Sequence, residues 1–269
     1  MNVSTIVHRH SDALETAAKV GWLVKGALYI TLGMLAVLAA VGEGGLIEGS
    51  KGVLQWVVEQ PFGRVLLVVA GVGFACYALW RFVQAALDPA KHEDEKKMVV
   101  KRIAWAASGV MHVALSVAAF QMVAGSGQSG GGKQAWIAKL LEAGTAGQVV
   151  LGILGGAIIS AGLYQLKSAF ELSFMEKVDR SGMSSREVSV LQAVGRTGLM
   201  ARAVVFPIIG YFLIDAAISH SPSQARGVGG ALGEAAQVSW YALAIIAAGL
   251  VGYGVLQLFY ARYRQLELS

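Results

Sequence analysis

Residues 22–42 read WLVKGALYITLGMLAVLAAVG, a run whose one charged member is Lys25. At 1.5 Å per residue, about 20 helical residues cross the roughly 30 Å hydrocarbon core of a bilayer. Stretches of the same length and character return at 63–87, 103–124, 147–170, 199–219 and 239–260, and the six together contain six charged residues. Most of the 22 Lys and Arg and 17 Asp and Glu lie in the other half of the chain. Six transmembrane helices follow. In lipid every backbone N–H and C=O must be satisfied within its segment, and the roughly ten-residue alternating segments of a spanning barrel are missing.

Composition excludes an ordinary water-soluble enzyme: 55% of the 269 residues are apolar, 14% are charged and mean hydropathy is +0.58, whereas soluble domains carry about 25% charged residues. The first apolar stretch is too long and starts too late for a cleaved signal peptide, so it is expected to stay in the mature chain. Cys76, the single cysteine, lies inside the second stretch, which excludes an intrachain disulfide and a thiolate metal cluster.

Basic residues set the orientation. Arg9, Lys19, the 88–102 loop (Lys91, Lys96, Lys97, Lys101, Arg102), the 171–198 loop (Lys177, Arg180, Arg186, Arg196) and the tail (Arg262, Arg264) share one side. The other side has only Lys51, Lys133, Lys139 and Arg226. The positive-inside rule then puts both termini in the cytoplasm. The tryptophans fit an aromatic belt, with Trp22, Trp80 and Trp105 toward the inner interface and Trp56, Trp136 and Trp240 toward the outer one. The net charge of +5 thus reflects topology, and nucleic acid is not an expected partner.

The stretches are related in pairs. Lys25-Gly26-x-x-Tyr29-x-x-x-Gly33 aligns with Ser108-Gly109-x-x-His112-x-x-x-Ser116 and with Arg202-Ala203-x-x-Phe206-x-x-x-Gly210. In the second helices Gly63, Gly71, Trp80, Arg81 and Ala85 match Gly147, Gly155, Tyr164, Gln165 and Ala169, while Gly73, Tyr77, Arg81 and Ala85 match Gly249, Tyr253, Gln257 and Ala261. Three tandem two-helix units result, spanning 1–98, 99–180 and 181–269. This pattern, with Pro61-Phe62-Gly63-Arg64-x-Leu66-Leu67 opening the first glycine-rich second helix, resembles the domain of unknown function 1206 family, in three copies. The second copy has Thr145-Ala146-Gly147 and the third Gln237-Val238-Ser239 at the Pro61-Phe62-Gly63 positions. The resemblance implies an integral membrane protein and carries no catalytic residue.

The expected fold is therefore all-α and polytopic, in the bacterial cytoplasmic membrane. Units of two spans enter the membrane in one direction, which permits a pseudo-threefold axis along its normal. The outer connectors 43–62, 125–146 and 220–238 each carry a short amphipathic piece, expected to lie at the interface. Small-residue pairs, Gly71-x-x-x-Ala75, Gly152-x-x-x-Gly156 and Ala248-x-x-x-Gly252, should turn the second helices toward protein.

Charges inside the spans cost roughly 2.5–3.5 kcal/mol each at the bilayer centre. Lys25, Arg81, Lys167 and Arg202 fall near the inner ends, where snorkelling explains them most simply. The alternative is a polar collar of Lys25, Arg81 and Arg202 with Ser108, Gln165 and Gln257 at equivalent places, fit for a small anion or an anionic lipid headgroup. Tyr29, His112 and Phe206 form the aromatic layer beside it, and His112 is the lone ionisable group near mid-membrane. Asp215 lies near the outer end of the fifth span with His220 one turn beyond, and Pro207 is expected to kink that helix by removing one backbone bond.

Other motifs lead nowhere. Gly127 to Lys133 begins like a phosphate loop, but Gln134 replaces its Ser or Thr and no strand precedes it. His8 and His10 have no third ligand nearby, so no metal or cofactor is expected. Ser184-x-x-Glu187 has the form of a capping box that starts a cytoplasmic helix running into span five. Two functions fit: a small channel or transporter with a basic collar, or a non-catalytic scaffold that binds lipid, a membrane-protein partner or another copy of itself. An enzyme is not expected, since no paired carboxylates or nucleophile–base set lies in the membrane.

Overall fold

The computed structural model describes residues 11–87, 95–125 and 132–264. His8, His10, Arg9, Lys91 and most of the glycine-rich 127–133 stretch lie outside the described residues. Within them the secondary structure is helical, apart from one isolated antiparallel bridge between Val178 and Arg264. Six long apolar helices supply the spans: α1 Ser11–Ala40, α3 Gly63–Leu87, α4 Glu95–Val123, α6 Thr145–Glu171, α7 Ser185–Ile218 and α9 Trp240–Tyr263. The three amphipathic connectors become α2 Ser50–Val58, α5 Gly132–Glu142 and α8 Val228–Val238.

Local chemistry sets several boundaries. The Ser184 hydroxyl accepts the Glu187 amide at 3.3 Å while the Glu187 carboxylate accepts the Ser184 amide at 2.8 Å, so α7 starts fourteen residues before the apolar stretch at 199. That reciprocal cap satisfies two donors a helix start would otherwise leave open. Gly63 opens α3 where a side chain would collide with the Val57 carbonyl, and Gly147 opens α6 under the Leu140 carbonyl. The third unit has Ser239 there, whose hydroxyl caps the Ala242 amide of α9 at 3.1 Å.

The second helix of each unit packs along the first helix of the next: α3 on α4, α6 on α7 and α9 back on α1. The same atoms meet at all three seams. A Cβ on Gly33 would lie 2.6 Å from the Ala247 carbonyl oxygen, and Gly210 is pressed likewise against the Gly155 carbonyl. In the second unit Ser116 stands at this place, and its hydroxyl donates to the Gly71 carbonyl at 2.8 Å. Small residues let helix backbones touch where lipid offers no hydrophobic drive. The pseudo-threefold pattern of seams is thus written in one recurring position.

The hairpins themselves differ. In unit one Gly21 of α1 lies against the backbone of Tyr77 on α3, and in unit three Gly198 of α7 lies against the backbone of Tyr253 on α9. The repeat puts Ala104 and Ala161 at these places in unit two. No packed face joins α4 to α6 there, and these two helices are the least buried of the six.

Two expectations from sequence are corrected. The pair Gly152 and Gly156 faces open space, and it is Gly155 that makes the close approach; α6 therefore turns only one side to protein. Trp22 and Trp80 are not belt residues. They are buried and stack edge to face at 6.4 Å in the core, because neighbouring α9 covers them with Tyr260. Trp136 and Trp240 remain exposed, as a belt requires.

Candidate functional site

Lys25 sits in the middle of α1, at 6% exposure, and its ammonium donates to the Tyr77 hydroxyl at 2.9 Å. It does not snorkel. The packing of Gly21 against Tyr77 brings the phenol to it. One turn further along α3, Arg81 donates from Nε to the same hydroxyl at 2.9 Å and from a terminal nitrogen to the Gln84 side-chain Oε1 at 2.8 Å. The phenol thus accepts from two cations at once. Arg202 reaches the cluster from α7 with its guanidinium over the rings of Tyr253 at 4.1 Å, Phe206 at 4.3 Å and Tyr29 at 5.7 Å. Lys25 also lies 4.6 Å from the Tyr77 ring centre and 5.6 Å from that of Tyr253.

Three cations therefore share two tyrosines that are equivalent in the repeat. Among the described residues no carboxylate pairs with any of them, and the groups facing Lys25 are the phenols of Tyr253 and Tyr77 together with the other two cations. Two like charges about 6 Å apart repel by about 3 kcal/mol at an effective dielectric near 20. Cation–π contacts of about 0.5–2 kcal/mol each offset part of that cost. One donor is left over: Arg202 Nε is buried with no hydrogen-bond partner. Buried polar atoms are normally satisfied, so the cluster has capacity for an acceptor that protein does not supply.

The candidate residues divide. Lys25, Tyr29, Arg81, Arg202 and Phe206 come together. His112 joins from the side, its ring 4.3 Å from that of Tyr77 and 6.2 Å from Phe74, while its Nδ1 donates to the Ser108 carbonyl of its own helix at 2.7 Å. That bond places a proton on Nδ1. Ser108 contributes its backbone, not its hydroxyl. Gln165 bonds back to the Ala161 carbonyl at 3.2 Å and leaves its own oxygen unpartnered. Gln257 is buried, and none of the hydrogen bonds described joins it to a cation. Lys167 is the true snorkeler, exposed and 3.7 Å from Glu171.

Tyr77, Tyr253 and Gln84 were not singled out from sequence. A signal for the tyrosines existed, since both recur in register opposite a glycine of the partner helix. Below the cluster, the 3₁₀ turn Ser173–Lys177 tucks Phe174 against Gly195 and, with Met175 and Val178, joins Trp22, Trp80 and Tyr260 in one buried group. The turn is held by the Asp179 amide, which donates to the Tyr263 carbonyl at 2.8 Å. At the opposite end Asp215, Arg226 and Glu234 line a groove of about 540 Å³, where Arg226 pairs with Glu234 at 2.8 Å. His220 is tied to Gln148 at the start of α6.

Three comparisons bear on this arrangement. The model of the Domain of Unknown Function (DUF1206) matches residues 20–88, 103–171 and 197–264. The uncharacterized protein YxxB of Bacillus subtilis (strain 168) is 32% identical over 266 residues, covering 98% of this chain and 96% of that protein. No solved structure matches.

Proposed function

Because the chain belongs to the Domain of Unknown Function 1206 family, a membership that speaks for architecture and leaves activity open, we propose that this six-helix membrane protein is a non-catalytic anion-binding module. Its ligand is a phosphate-type group, and its site is the Lys25–Arg81–Arg202 cluster. The observation that carries this reading is the convergence of three cations, Lys25 buried and Arg81 and Arg202 half-buried, on Tyr77 and Tyr253 without a carboxylate. A bound dianion would replace mutual repulsion by charge-assisted hydrogen bonds, the stronger class of such bonds.

The channel reading has the same collar in its favour. Against it, Trp22, Phe74 and Tyr77 are fully buried side chains packed beside the cations, which supports a filled site over a wet passage. The positive-inside orientation proposed from the basic loops puts the cluster in the inner half of the bilayer, on the side of the leaflet where anionic lipids concentrate.

The test is native mass spectrometry of the protein in neutral detergent, offered phosphatidylglycerol, phosphatidylcholine or inorganic phosphate. Preferential retention of an anionic species, reduced about tenfold in Arg202→Gln, is expected; tenfold corresponds to about 1.4 kcal/mol. Equal retention of anionic and zwitterionic species by both proteins would remove the reading.

A further inference from the structure

The cation cluster is closed on most sides. Toward the end that carries the termini, Phe174, Met175 and Val178 seal it. Toward the other end, Leu28, Leu32, Phe74 and Leu250 form a continuous buried group. Sideways, α1 packs on α3 and α9, α7 on α9, α3 on α4 and α6 on α7. The one flank without a packed helix pair is that between α4 and α6.

The residues on that flank have the wrong exposure for a hairpin interior. Ala104 and Ala107 of α4 and Ala157 and Ala161 of α6 are exposed, as are Met111 at 60% and Tyr164 at 56%. The repeat places them where units one and three make their helix–helix contacts. The aromatic shells of the cations form the inner edges of the flank. His112 of α4 lies on Tyr77, and Gly162 of α6 lies against Phe206 and Pro207, with Phe206 in turn roofing Arg202. The unpartnered Arg202 Nε and Gln165 oxygen are both buried at this level.

Resting on the anion-binding reading, we propose that the seam between α4 and α6 is a side entrance from the bilayer. An anionic phospholipid lays its acyl chains between the two helices and sets its phosphate against Lys25, Arg81 and Arg202. Apolar walls suit the chains and the cations suit the phosphate, so one amphiphile satisfies both. A second copy of this chain does not fit as the occupant: the one carboxylate within its six apolar stretches is Asp215, which lines the groove at the far end of α7.

The experiment uses the full chain in phosphatidylcholine vesicles containing phosphatidylglycerol with a photoreactive diazirine on one acyl chain, followed by peptide mapping. Labels are expected to concentrate on α4 and α6, to fall about tenfold in Arg202→Gln, and to fall equally when Ala107→Trp and Ala161→Trp together fill the seam. Both alanines are exposed, so the double variant has room to fold, and the mapping of unmodified protein stands without it. Labels spread evenly over the six long helices, or indifferent to the two tryptophans, would overturn the entrance while leaving anion binding intact. Cross-links between two copies at the seam would overturn it in favour of a dimer face. Loss of all preference for the anionic lipid would instead remove the reading on which the entrance rests.

Discussion

Units one and two contain hairpins of matching length and register, yet one is closed and the other is splayed. In unit one a glycine, Gly21, admits the Tyr77 backbone to contact distance, and the tyrosine then holds Lys25 and Arg81. Unit three repeats the device with Gly198 and Tyr253. In unit two Ala104 carries the extra Cβ, Ala161 offers no ring or hydroxyl, and Ser108 stands where the others have Lys25 or Arg202, while the Arg81 place is a glutamine in both unit two and unit three. The closure of a hairpin and the inward placement of its cations thus meet at one glycine–tyrosine contact. Losing that contact costs the chain an interface and leaves an opening.

The largest effect should come from attacking the closed hairpins at the glycine. Gly198→Leu would drive a side chain into the Tyr253 backbone; overpacking of this kind costs about 1–3 kcal/mol and more where backbone is struck. Unfolding in mixed micelles, followed by tryptophan fluorescence, should show that loss. Ala104→Leu, at the equivalent place in unit two, should shift the same midpoint by less than about 0.5 kcal/mol. Equal effects in the two units would end the contrast.

Next in size is Tyr77→Phe. It removes the hydroxyl that accepts from the buried Lys25 ammonium and the half-buried Arg81 guanidinium, at about 1–3 kcal/mol by the same measurement. Addition of phosphatidylglycerol should restore part of that loss, because a phosphate oxygen can take the place of the phenol. A Tyr77→Phe protein as stable as wild type would mean that the phenol is not the keystone of the cluster.

A smaller loss, about 1 kcal/mol, is expected for Ser184→Ala, which breaks the cap at the start of α7. It should appear as faster amide exchange over residues 185–189 with the seams unchanged. Smallest of all, Ser116→Ala removes one interhelical hydrogen bond, for which membrane double-mutant cycles average about 0.6 kcal/mol. Ser116→Gly should be the gentler change at this position, since Gly33 and Gly210 occupy the equivalent places.

Much of the architecture was legible because each piece had a local cause. Span lengths, the three connectors and the Ser184–Glu187 cap depend on hydropathy and on contacts within a few residues. Lys25, Arg81, Arg202, Tyr29 and Phe206 were legible as candidates because a charge in a span, or an aromatic recurring in register, is conspicuous. Their partners were less so. Tyr77 reads only as a repeat position matching Tyr253 until Gly21 is seen opposite it, and Trp22 and Trp80 read as belt residues until α9 covers them. Gly152 and Gly156 form the better motif on paper, whereas Gly155, with no partner glycine four residues away, makes the contact.

Sequence alone determined that the chain crosses the membrane six times in three like units, because length and hydropathy are properties of each segment and the solvent it needs. Only the tertiary structure decided that the cations turn inward onto shared phenols instead of outward to water, and that the second hairpin stands open. Both outcomes depend on which helix backbones come within touching distance, and that is set by pairs of residues far apart in the chain.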